Sequence, residues 1–495
     1  MEEGDASAVV RVFCGTVVHA LALDKLSVVP RAWLGVDAAG RIAFLHSPQQ
    51  DGEADRPTLI HKYGLSDAVE FVELPRRGFL VPGMVDTHYH APQFVNAGNG
   101  LDMPLLEWLE TYTFPAETRF KDVDYAARVY PAVVRRGLQL GTTTVAYYGT
   151  IHAPATKLLA ETAARYGQRA FVGKVCMDRN SPAHYVETTA DSLRDTAHFC
   201  EEVLAMGDPL ITPILTPRFA PSCTMELMKG LGEIARKHDL PIQTHVSESK
   251  PDTDWVLELH PDQPTYTHVY QEAGLLTNKT ILLSEAEEDL LVNHGAGVAH
   301  CPSSNFYVLS GVCAVRRLLN KGIKVGLGSD ISGGPCPNLL DAFRLAIIAS
   351  KIVHAKRPEL APLSVAEAFY LLTLGGAQVL SIDHKVGNFA VGKELDALVV
   401  APFCPGSPID EFDADSDNGD DDEAAIRRTL EKWLFLGDDR NLAQVYVRGR
   451  PLAKADHGTV ATRGQCLMGL KLSFQLAALS YHCWTRLVPG VPSVS

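Results

Sequence analysis

No CxxC pair occurs among the ten cysteines of this 495-residue chain. Neither a thiolate zinc site nor a disulfide framework is therefore indicated, and a reducing cytosol is the expected setting. No apolar run is long enough to span a bilayer, so no membrane association is expected. The opening residues, "MEEGDASAVVRVF", have neither the basic stretch nor the apolar core of a secretory signal. Basic residues are outnumbered by acidic ones, 45 to 59, which leaves a formal charge of -14. Phosphates would be repelled, which argues against non-specific binding to nucleic acid or anionic lipid. What is present is globular: 46% hydrophobic and 21% charged residues, in a length that suits about three ordinary domains or one large barrel with an accessory domain.

From Phe79 onward, eight short apolar runs end in polar or glycine-containing loops: "FLVPGMVDTHYH", "GTTTVAYYG", "QRAFVGKVCMD", "PLITPILTPRF", "PIQTHVSES", "NKTILL", "GAGVAHCPSS" and "GIKVGLGSD". Stretches of helical character separate them, among them "APATKLLAETAARYG" and "TMELMKGLGEIARKHD". Alternation of this kind predicts parallel strands with crossover helices, and eight units suggest a closed (β/α)8 barrel over residues 79–384. Residues 1–78 and 385–453 read as β-rich, in segments such as "VVRVFCGTVVHAL" and "LAQVYVRGRPL". Both ends of the chain are thus expected to build one small β-sandwich. The acidic run at 412–423 is expected to be a solvated insertion, because EF-hand spacing is missing. Residues 454–495 form an irregular tail that does not continue the sandwich pattern.

Four rim positions carry the chemistry. His88 and His90 alternate in "VDTHYH", so both imidazoles share one face of the first strand of the barrel and can converge on one ion. His245 ends the strand in "PIQTHVSES", and Asp330 ends the last one in "KVGLGSD". Taken singly, His245 could be a core histidine and Asp330 a helix cap. Neither alternative explains why all four fall at strand ends, where barrels of this kind place their sites. Three imidazoles and a carboxylate form an N/O shell suited to zinc or a similar divalent ion. Glu248, three residues after His245, is placed to face bound water and substrate as a general acid/base.

The blocks "FLVPGMVDTHYH", "IQTHVSES", "AHCPSSN" and "GLGSD" resemble the signatures of the amidohydrolase superfamily, in the same order and over nearly the whole chain to about Pro451. Two others, "HAPQFVNAGNGLDMPLLEWLETYTFPAETRF" and "FLGDDRNLAQVYV", resemble its guanine-deaminating branch. The resemblance implies a metal-dependent hydrolase barrel with a composite sandwich, one zinc ion per chain, a homodimer, and hydrolysis of guanine to xanthine and ammonia. It places His88, His90, His245 and Asp330 on the zinc, with Glu248 and Asp330 as catalytic groups. Gln93, Arg218 and Phe219 would line the purine pocket, with substrate contacts also from His90, His245, Glu248 and Asp330. The chemistry suits those roles: guanine offers O6 and N7 as adjacent acceptors, which an arginine edge matches bidentately. Gln93 supplies a donor and an acceptor, and Phe219 can stack on the ring.

One block departs from that pattern. The family's sixth strand runs "TILAHGxxLS", whereas this chain reads "TILLSEAEEDLL" and lacks the histidine and its loop. The resemblance places that histidine beside the reacting water and not on the metal, so its loss should affect turnover more than zinc binding. His294 and His300 lie downstream but belong to the next helix and the seventh block. Three readings follow: a guanine-deaminating zinc hydrolase impaired at this junction, a non-catalytic purine-binding or scaffold protein on the same fold, or another heterocycle amidohydrolase.

Overall fold

The computed structural model describes residues 9–283, 288–412 and 422–452. Most of the acidic run, the tail beyond Leu452 and the junction residues 284–287 lie outside the described residues.

Each of the eight apolar runs contains a strand that pairs in parallel with a neighbour. Ile211–Pro213, Arg169–Gly173, Thr142–Tyr148 and Met84–His90 form one four-stranded sheet in that order. Ile242–His245, Thr280–Leu283, Gly297–His300 and Lys324–Leu327 form a second. Their interiors are buried almost throughout, for example all seven residues of Thr142–Tyr148, as expected for strands covered on both faces. Short pairings link the sheets. Thr216–Pro217 pairs with Val175–Cys176, and bridges at Leu215–Ile242 and Phe219–His245 join the fourth unit to the fifth. At the other side Asp330 N donates to the His88 carbonyl at 2.9 Å and His90 N to the Ile331 carbonyl at 3.2 Å.

The crossover helices are started and stopped by local chemistry. In Met225–His238 the Thr224 hydroxyl accepts from Leu227 N, Arg236, Lys237 and His238 occupy the negative end, and Asp239 closes the helix in the left-handed region at φ 53°. Its buried residues Leu227, Met228, Leu231 and Ala235 fall on one stripe.

A further mixed sheet of eight strands takes members from both ends of the described chain. Its order is Arg450–Pro451, Leu442–Val447, Ala397–Val400, Phe79–Pro82, Val9–Ala22, Lys25–Asp37 and Ile42–His46, with Glu70–Glu73 also on Val9–Ala22. Hydrogen bonding runs across it without a break, bent by a bulge between Gly15 and Val17. Phe79–Pro82 bonds antiparallel to Ala397–Val400 and parallel to Val9–Ala22, while Met84, two residues on, opens the first parallel strand. A buried cation clamps the two regions: Arg169 Nε and Nη2 donate to Asp396 at 3.0 and 3.1 Å, and Nη2 also to Glu394 at 2.7 Å. Its Nε and both Nη2 donors are thus committed to carboxylates in a charge-assisted fork.

Candidate active site

The strand ends bring the expected side chains together. His88 and His90 leave the same face of Met84–His90, and their Nε2 atoms are 3.1 Å apart. His90 Nε2 is 3.2 Å from His245 Nε2. Asp330 Oδ1 lies 3.2 Å from His88 Nε2 and 3.5 Å from His90 Nε2. Burial, followed by the charge of His88, pushes His90 well below the usual imidazole range and His245 down to about 3. Nε2 atoms that face one another at these distances either share a proton between tautomers or hold one ion in common. Zn–N bonds of about 2.0–2.1 Å at tetrahedral angles place neighbouring ligand atoms about 3.3 Å apart, which matches the spacing here. His245 Nδ1 lies 2.6 Å from the Arg218 carbonyl, so its proton is held there and Nε2 is free to ligate. The donor set therefore fits a zinc-type ion; His90 Nδ1 has no partner among the described residues.

Asp330 is placed by its neighbours. Buried Asp86 accepts from Ser329 N at 3.0 Å, Ser329 Oγ at 2.6 Å and His88 N at 3.2 Å, which fixes the last strand end against the first. Asp330 itself sits at φ 47°, a conformation aspartate tolerates better than most residues. Burial works to raise its carboxyl, but His88, His245 and the Ser304 hydroxyl together hold it below the ordinary value.

Beside the cluster opens a cleft that is accessible from solvent. The expected residues Gln93, Arg218, Phe219 and Glu248 line it along with His90, His245 and Asp330. Glu248 is turned toward it by Ser247, at φ 48°. Burial, followed by the nearby charge of Asp330, pushes the Glu248 carboxyl well above its ordinary value, which suits a group that takes up and returns a proton. Phe219 packs edge-on to Trp255, with ring centres 6.3 Å apart.

The structure adds residues that the sequence reading passes over. Leu105, Trp108 and Leu109 cover one side of the cleft, and the Trp108 Nε1 is buried without a partner among the described residues. Asp252 and Ser304 also reach it. Behind the wall, Glu117 forms a bidentate ion pair with Arg218, with Nη1 at 2.7 Å and Nη2 at 3.2 Å. The Nη1/Nη2 edge of Arg218 is thus committed to protein, and the Nε/Nη2 edge is the one left for an acceptor pair.

The sixth strand is paired on both sides. Leu282 stands opposite Thr244 and Val298, and Leu283 opposite His245 and Ala299. The ladder therefore reaches the rim, and the departure from the family pattern begins at its last rung. His300 ends the seventh strand, buried and with both ring nitrogens unpartnered among the described residues, and it does not line the cleft. His294 ends the helix Glu288–His294. Neither takes the absent histidine's place.

An α/β fold with an N/O cluster of this kind at parallel strand ends defines a class of hydrolases. A model of the amidohydrolase family matches residues 79–452, and the chain belongs to that family. It is 44% identical over 455 residues to the guanine deaminase of Dictyostelium discoideum, covering 90% of this chain and 99% of that protein. To the guanine deaminase of Mus musculus it is 45% identical over 445 residues, covering 89% and 96%. The crystal structure of the C. acetobutylicum guanine deaminase with guanine bound in its active site superposes with a TM-score of 0.78 at 35% identity, covering 90% of this chain and all of that one. Within the family, the chain falls in the guanine deaminase branch.

Proposed function

We propose that this chain hydrolyses guanine to xanthine and ammonia, with one zinc ion held by His88, His90, His245 and Asp330. The observation that carries the reading is the convergence of three Nε2 atoms and a carboxylate at the floor of a cleft walled by Arg218 and Gln93. The parallel strands that place these residues are read as a closed barrel. A zinc ion bound there would act as a Lewis acid and make a nucleophile of water at neutral pH.

The rest falls to side chains. Arg218 offers its Nε/Nη2 edge to O6 and N7 of the purine, which sets the amino-bearing carbon over the cluster. Phe219 covers the ring. Glu248 and Asp330 take the two protons of the attacking water in turn as its oxygen bonds to that carbon. Glu248 then protonates a ring nitrogen and the leaving amine, the C–N bond breaks, and ammonia departs while xanthine keeps the oxygen. A homodimer and a cytosolic setting belong to the same reading, supported by the resemblance in sequence. No helix among the described residues is long and apolar enough to cross a membrane.

The missing sixth-strand histidine lowers the rate in this reading without emptying the metal site. The test is xanthine formation from guanine by purified, zinc-analysed protein, beside a variant with "AHGVH" inserted after Leu282. The unmodified chain is expected to hold zinc and turn over slowly, and the insertion to raise the rate on the order of 10²–10⁴-fold. Zinc bound by both forms with no turnover in either would instead favour a non-catalytic purine-binding protein.

A further inference from the structure

Glu117 is completely buried, on the helix Phe114–Thr118, yet does not line the cleft. Its carboxylate accepts four hydrogen bonds. Arg218 supplies two, Gln93 Nε2 donates to Oε1 at 2.8 Å, and the Tyr185 hydroxyl donates to Oε2 at 2.7 Å. That fills the acceptor capacity of a carboxylate and leaves it one orientation. Gln93 is pinned at its other end as well, where Ser332 N donates to Oε1 at 3.3 Å.

The same cleft holds two other carboxylates, Glu248 and Asp330, and Arg218 acts on Glu248 through its charge. A long, flexible arginine facing them without Glu117 would gain by swinging toward the acids that handle protons. With Glu117 in place its charge is matched behind the wall, and the guanidinium presents a fixed donor edge to the cleft.

We infer that Glu117 is a positioning residue: it holds Arg218 and Gln93 so that they read the oxygen-bearing edge of a neutral 6-oxopurine. This rests on the proposed role of the cleft as a guanine site. The test uses the zinc-loaded full chain and 2-aminopurine, which lacks O6, as a fluorescent ligand, with guanine binding measured by its displacement. The readout is the ratio of guanine affinity to 2-aminopurine affinity, which partial misfolding does not alter.

Glu117→Gln is expected to lower that ratio at least tenfold, in line with the loss of a charge-assisted contact. Adding Glu117→Gln to a chain already carrying Arg218→Met and Gln93→Leu is expected to change the ratio no further, because the residue acts only through those two side chains. If an unpaired buried guanidinium keeps Glu117→Gln from folding, Glu117→Asp, which withdraws the charge by one methylene, gives the same readout. A ratio unchanged in the single variants, with both affinities falling together, would reduce Glu117 to a structural ion pair and overturn the inference. So would a further fall in the background that carries both Arg218→Met and Gln93→Leu. A wild-type chain that binds 2-aminopurine but not guanine, or neither, overturns the guanine reading itself.

Discussion

The Nδ1 of His245 rests on the carbonyl of Arg218, so one short contact ties the histidine cluster to the cleft wall where the proposed reading places the purine. Changes to individual side chains should separate these two halves. His88→Ala is expected to lower the zinc content of the purified protein, since it removes one of the four converging ligand atoms. Glu248→Gln should keep zinc and lose turnover on the order of 10²–10⁴-fold. Metal analysis beside a xanthine assay checks both. Asp330→Ala with zinc and activity intact would mean the cluster is misassigned. The convergence of His88, His90, His245 and Asp330 was legible in the sequence because a side chain at a strand end leaves a positional mark, apolar run then polar tip. Glu117 leaves none: a glutamate in a short helix ordinarily faces water, and only its three partners, distant in sequence, show that it does not.

Among the elements, the sixth strand is the informative one. Its pairing with Ile242–His245 and Gly297–His300 is complete through Leu283, so the departure from the family pattern begins at the last rung of the ladder. Five residues inserted after Leu282 should therefore put an alanine at the paired position that Leu283 now holds and lengthen the rim connection beyond it. The expected cost is under about 1 kcal/mol, the scale of added loop entropy, and urea denaturation of the two forms measures it. A larger loss would show that the junction helps to hold Glu288–His294 in place. Strand positions were readable from buried apolar runs. The segment around Leu105, Trp108 and Leu109 was not read as a cover for the cleft, because its apolar residues look the same whether they face a core or a ligand.

At the scale of the whole molecule, alternation of strands and helices revealed the parallel units, while the partners of Phe79–Pro82 could not be read locally. It bonds to strands from both ends of the described chain. The Arg169 clamp on Asp396 and Glu394 joins the third parallel strand to that mixed sheet. Asp396→Ala leaves a buried guanidinium short of its main partner and is expected to cost about 3–5 kcal/mol, read as a fall in the urea midpoint. A midpoint unchanged by the substitution would mean that Glu394 alone satisfies Arg169. The shared sheet has a consequence for how the protein is made. The edge of Phe79–Pro82 that bonds to Ala397–Val400 leaves the ribosome about 300 residues ahead of its partner. At about 5–20 residues per second, that edge stays open for roughly 15–60 s of synthesis. During that interval a growing chain can misjoin with its neighbour, so nascent chains ending before Ala397 should depend on chaperones in a way the finished protein does not.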